Sequence, residues 1–155
     1  MKEKRLLNFS SHEPSVSNKN NTKKAIFWVT SVSKDIGRDL FFVNDSDEIL
    51  DFVKAEDGGF ITCDDDVVST WTQEGKGYRY TDVLPKEAVK VAEFDDYYDL
   101  DYVLGVSITI KSESRGVVNF STPLEKGGVE GCVLFFDSGD VGNGCSMAQV
   151  EREER

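Results

Sequence analysis

The chain has 155 residues, 39% apolar and 30% charged, with a net charge of −11, a profile that suits one domain with a substantial core. The charge is uneven: residues 1–24 carry six Lys/Arg against Glu3 and Glu13, so the remaining 131 residues hold 12 basic and 27 acidic groups, a balance of −15. Such a body repels nucleic acid and anionic membrane at long range and draws in basic surfaces, so neither direct nucleic-acid binding nor membrane binding is expected.

Residues 10–24, SSHEPSVSNKNNTKK, have almost nothing to bury. Residues 1–24 therefore read as a flexible basic tail, followed by a single β-rich domain over 25–150 and a frayed end at 151–155. AIFWVTSV, 25–32, is apolar and β-branched and reads as a strand; SKDIGR turns it, and DLFFV, 39–43, pairs back. One short helix is predicted over 45–57. Asp45 can cap it, Glu48 completes a capping box, Ile49, Phe52 and Val53 form its buried stripe, and Gly58-Gly59 ends it. GFITC, 59–63, is a strand, and Asp64-Asp65-Asp66 an exposed turn.

VVSTWT, 67–72, and YRYTDVL, 78–84, flank QEGKG as a hairpin. Pro85 opens a new segment, because it cannot donate within a sheet. KEAVKVAEF, 86–94, fits two helical turns or a strand with Val89 and Val91 inward; the strand is favoured for its second half. YVLGVSITIK, 102–111, has the strongest alternation: Tyr102, Leu104, Val106, Ile108 and Ile110 share one face, against Val103, Gly105, Ser107, Thr109 and Lys111. ESRG turns it into VVNFST, 117–122. CVLFF, 132–136, is apolar on both faces and reads as a central strand; SGDVGNG, 138–144, is loop. The fold class is α+β, mainly β: a curved, mostly antiparallel sheet or sandwich of about seven or eight strands with one short helix.

Catalytic chemistry has few candidates. The single histidine, His12, falls in the predicted tail, whereas Ser–His–Asp and Cys–His catalysis need an imidazole held beside the nucleophile. Three cysteines, Cys63, Cys132 and Cys145, with no C-x-x-C pair, argue against a disulfide framework and a structural zinc site. Cys63 and Cys132 lie in apolar strands, where cysteine acts as a small hydrophobe, and nothing adjacent in sequence lowers the pKa of Cys145. GDVGNG, 139–144, and EGKG, 74–77, match no phosphate-binding pattern and read as turns. D-D-Y-Y-D-L-D lacks the spacing and the glycine of an EF-hand loop. No catalytic residue, cofactor or metal is expected.

The remaining chemistry is acidic. NDSDE, 44–48, fits a helix N-terminus, where carboxylates oppose the dipole. EFDDYYDLDY, 93–102, holds five carboxylates and three tyrosines without a basic residue. Tyrosine supplies contact area at low entropy cost, and carboxylates steer a basic partner. The candidate partner-binding residues are Asp95, Asp96, Tyr97, Tyr98, Asp99 and Asp101, with Asp64, Asp65 and Asp66. Tyr102 should point into the core, and at least one ring of Tyr97 and Tyr98 should be exposed.

In size and charge the chain is similar to small acidic cytosolic inhibitors, such as the bacterial immunity proteins that neutralise cationic nuclease toxins. The similarity rests on general profile, without a shared motif, and those inhibitors share no single fold. It implies a non-catalytic cytoplasmic protein that binds and inhibits a basic partner, a cationic nuclease toxin being one case, or a nucleic-acid mimic. The alternative is a small carboxylate-based enzyme or ligand carrier with a pocket in a β-sheet.

Overall fold

Apolar, β-branched runs and, over 102–111, period-two alternation run along the chain, and the structure answers them with antiparallel strands. This structure is a computed structural model that describes residues 3–7, 9, 24–63, 66–69, 77–95 and 102–150, without the side chains of 60–63 and 66–69. Two sheets face one another. The first is ordered β1 (Arg5–Leu6), β7 (Glu87–Asp95), β3 (Gly37–Asn44), β2 (Ala25–Lys34) and β11 (Gly131–Phe136). The second runs β12 (Ser146–Val150), β9 (Gly116–Ser121), β8 (Val103–Ser112) and β4 (Leu50–Cys63). β6 (Tyr78–Val83) and then β5 (Asp66–Ser69) pair along the length of β4, and β10 (Glu125–Lys126) pairs with the start of β8.

The inner faces of both sheets share one core. Phe27, Val29, Leu40, Phe42, Val89 and Phe94 come from the first sheet; Val53, Leu104, Val106, Ile108, Ile110 and Phe120 come from the second. Phe27 stacks on Phe42 at 5.6 Å between ring centres and meets Phe120 at 5.9 Å. Each such ring, fully buried, contributes about 1.5–3 kcal/mol. The alternation of 102–111 holds: Leu104, Val106, Ile108 and Ile110 are buried, and Tyr102 packs half-buried against the same core. On the opposite face the Asn119 amide donates to Ser107 Oγ at 2.9 Å and Thr109 Oγ1 at 3.0 Å, which ties β8 to β9 through polar side chains.

Residues 87–95 are strand throughout. Leu40 pairs with Ala92 and Phe41 with Lys90, so Val91 is the extra residue of a β-bulge. The bulge lets both Val91 and Ala92 face the core and leaves Lys90 on the other side. Pro85 does open this segment: Leu84 O accepts from Glu87 N at 3.0 Å, with Lys86 at φ 68°, which is the geometry of a type II turn with proline at its second position.

Four expectations are corrected. No helix forms over 45–57, nor elsewhere among the described residues. Residues 50–55 are flanked by β6 on one side, and 52–60 by β8 on the other, so tertiary pairing overrides a local helical pattern. Ile49 is exposed at 51% rather than buried in a stripe. Strands 66–69 and 78–83 do not form a hairpin with each other; each pairs with β4. The strand containing CVLFF is an edge strand, with β2 on one side and a single Phe135–Val141 bridge to the following loop. It is apolar on both faces because both are covered. Leu134 enters the main core, while Val133 and Phe136 join Trp28, Phe41 and Val43 in a second cluster on the outer face of the first sheet.

The fourth correction concerns the N-terminus. Arg5 and Leu6 pair with Val89 and Ala88, Lys90 N donates to Lys4 O at 2.9 Å, and Phe9 N donates to Lys86 O at 2.8 Å. Phe9 also stacks on Phe41. Arg5 and Leu6 thus belong to the sheet, with Lys4 and Phe9 bonded to it, rather than to a tail. Residues 10–23 and 151–155, including His12, lie outside the described residues.

Candidate functional site

Strand register decides where the acidic runs leave the fold. β4 and β8 are antiparallel, and their last aligned pair is Phe60 with Val103. Beyond it, β4 continues to Cys63, which pairs with Asp66 across residues 64 and 65. In the first sheet Asp95 pairs with Gly37, beside the β2–β3 turn at Asp35-Ile36. Glu125 and Lys126 pair with Leu104 and Val103 at the same end of the second sheet. The described residues flanking both acidic runs, Cys63 and Asp66 for one and Asp95 and Tyr102 for the other, therefore lie at one end of the sandwich.

That end is held together by Arg38. Its Nη2 donates to Gly128 O at 2.7 Å and Gly127 O at 3.2 Å, and its guanidinium lies 5.4 Å from the centre of the Phe94 ring. Gly128 sits at φ +101°, and a Cβ there would come within 2.6 Å of that ring, so only glycine lets the turn close onto Phe94. Gly127 N in turn donates to Tyr102 O at 2.7 Å. These contacts enclose an open cleft of about 440 Å³ lined by Arg38, Asp95, Glu125, Lys126, Gly127, Gly128 and Glu130. Glu125, Lys126 and Glu130 are exposed there.

Of the residues singled out from sequence, Asp95 lines this cleft, and Asp66 is placed by its backbone alone. Asp64, Asp65, Asp96, Tyr97, Tyr98, Asp99 and Asp101 lie outside the described residues. The sequence carries no signal that places Glu125 and Glu130 at this end. They fall in PLEKGGVEG, whose glycines and missing alternation give no strand signal, and only the register of β10 brings them here.

Beside the cleft, the outer face of β2, β3 and β7 carries charges that neutralise one another. Lys34 pairs with Asp39 at 2.9 Å and with Glu93, and Lys90 pairs with Glu93 at 2.9 Å and Asp39 at 3.3 Å. The Lys34 ammonium, bonded to Glu93, and then Lys90 hold the Glu93 carboxyl down at about 2, against an ordinary 4.5. A lowered folded pKa stabilises the protein above the unfolded value, and that stabilisation is lost as pH falls from about 4.5 towards 2. Wild type should therefore exceed Glu93→Gln in urea midpoint at pH 6, and the gap should close by pH 2. A gap independent of pH over that range would show that Glu93 acts through packing rather than charge.

The 44–48 acids serve neither a helix nor this end. Asp45 pairs with Lys86. Glu48 accepts from Ser114 and, at 2.6 Å, from Arg115 Nη1. The Ser114 bond and then the Arg115 charge pull its carboxyl below the ordinary value despite partial burial. Glu48 thereby fastens the β3–β4 turn to the β8–β9 turn.

Comparison with protein-family models, curated proteins and solved structures finds no match to this chain.

Proposed function

We propose that the chain is a non-catalytic acidic binding protein that engages and inhibits a basic protein, of the kind that neutralises a cationic nuclease toxin in the cytoplasm. The observation supporting this is the register: flanks of both acidic runs emerge at one end of the sandwich, beside exposed Glu125 and Glu130. With an excess of 15 negative charges outside residues 1–24, that end would steer a cationic surface and suppress anionic ones. Asp39 and Glu93 take no part, being neutralised by Lys34 and Lys90. The alternative, a ligand pocket between the sheets, meets a space filled by Phe27, Phe42, Phe120 and Phe135, with ring centres 5.6–6.2 Å apart.

The test compares wild type with the fourfold variant Asp95→Asn, Asp96→Asn, Asp99→Asn, Asp101→Asn as bait in extract of the source cells, at low and high salt. A basic protein retained by wild type should be lost from the variant, with association slowed roughly tenfold at low salt and less at high salt. Both baits must show the same unfolding midpoint. Equal retention of every captured protein by both would remove the acidic end from the binding surface.

A further inference from the structure

Cys132 and Cys145 are brought together by the loop that follows β11. Phe136 N donates to Asp140 O at 2.9 Å, Phe135 bridges Val141, and Gly142 N donates to Leu134 O at 3.0 Å. The loop thus runs back along the edge strand. At Gly142 a Cβ would lie 1.6 Å from Val133 O, so the approach requires glycine. Gly144, at φ +77°, then turns the chain, and Cys145 N donates to Gly142 O at 3.1 Å. The two sulfurs end 3.7 Å apart, with Cys145 Sγ also 3.4 Å from Val133 O. Both thiols are free and half-buried, a setting that holds the pair in place yet leaves a small reagent access.

We propose that Cys132 and Cys145 are a dithiol site for thiol–disulfide exchange, oxidised reversibly to an intramolecular disulfide by a low-molecular-weight disulfide of the glutathione class. The Cys145 thiolate attacks one sulfur of the small disulfide, whose S–S bond breaks and releases one small thiol. Cys132, losing its proton, then attacks Cys145 Sγ in the mixed disulfide. The second small thiol leaves, so two protein thiols are oxidised and one small disulfide is reduced to two thiols. The order follows from the pair itself: the hydrogen bond from Cys132 lowers the Cys145 pKa, while that bond and burial raise Cys132. Closure requires the sulfurs to approach from 3.7 Å to about 2.05 Å.

The consequence is a staple between the sheets. β11 is an edge of the first sheet and β12 an edge of the second, and the loop between them carries both cysteines' connection. Oxidation would close that crossover into a ring and fix the two edges relative to one another.

The full chain, equilibrated in oxidised and then reduced glutathione, tests the site. Oxidised protein should lose two alkylatable thiols, yield a 132–145 cross-linked peptide without reduction, and melt roughly 5–10 °C higher, reversibly with dithiothreitol. Cys63→Ser should keep all three changes. Cys132→Ser should hold one glutathione on Cys145, whereas Cys145→Ser should hold little on Cys132. Three alkylatable thiols remaining in oxidised wild type, or a disulfide that includes Cys63, overturns the assignment whether or not the serine variants fold.

Discussion

Arg5→Met is expected to destabilise the protein by about 3 kcal/mol. Glu87, on β7, is 1% exposed, and Arg5 Nη1 donates to its two oxygens at 3.1 and 3.3 Å. The same guanidinium also donates to the Thr81 and Asp82 carbonyls and lies 5.4 Å from the centre of the Tyr80 ring. Methionine keeps the apolar stem and removes the charge, which leaves Glu87 buried with, among the described residues, the Leu84 amide as its remaining donor, at 2.8 Å. An uncompensated buried charge is the main cost of breaking such a pair, and the 37% exposure of Arg5 sets the estimate at the low end of its range. Arg5→Met with Glu87→Gln should recover most of the loss, since a neutral side-chain amide in place of the carboxylate still accepts from Leu84. The measurement is urea unfolding of wild type, the single variant and the double variant. A single variant within about 0.5 kcal/mol of wild type would mean that the Arg5–Glu87 pair does not help to hold β1 in the sheet.

That result bears directly on what the sequence makes legible. The β-rich class and the 25–43 hairpin are visible as apolar, β-branched runs separated by turn residues, and the 102–121 hairpin and the inward face of β8 as period-two alternation, because such strands carry their burial pattern themselves. β1 is not visible. Its two residues contribute little area, and what holds them is Glu87, 82 positions away. The same holds for the acidic end. Asp95 is readable as part of a charged run, whereas Glu125 and Glu130 reach the cleft only through the pairing of two residues of β10 with β8. The Cys132–Cys145 pair has a partial signal in hindsight, three glycines at 139, 142 and 144 between two cysteines, but spacing alone cannot say that the loop folds back on its own strand.

The predicted helix fails for a reason that Asn44→Ala will expose. A capping box at Asp45 and Glu48 assigns Asn44 no role, yet Asn44 is fully buried. Its amide Nδ2 donates to Glu48 O at 2.9 Å, Leu84 O at 3.2 Å and Val83 O at 3.3 Å. Its Oδ1 accepts from Ser46 Oγ at 2.6 Å and Ser46 N at 3.1 Å. One side chain thus closes the 45–49 turn locally, as asparagine does by bonding backbone two residues on, and also ties that turn to the end of β6. The tight turn delivers Leu50 into β4 in register with Val83, so the apolar residues that mimic a helical stripe are committed to strand pairing. Alanine removes both functions: Ser46 N loses its acceptor, the buried Val83 O loses a donor, and Glu48 O and Leu84 O fall back on Ser46 Oγ and Glu87 N, at about 1–3 kcal/mol for each group left without a partner that water cannot reach. The expected loss is about 3–4 kcal/mol. Asn44→Asp should be no better, because it keeps the acceptor and replaces the donor with a charge facing carbonyls. Asp45→Ala is the discriminating control: as a helix cap its loss would cost about 1 kcal/mol with Asn44→Ala near neutral, whereas in the observed turn its pair with the exposed Lys86 ammonium is worth at most about 1 kcal/mol, well below the Asn44 loss. Urea unfolding that ranks Asp45→Ala as the more damaging change would restore the helix over 45–57, and the reverse ranking ties the strand assignment of that segment to a single buried amide.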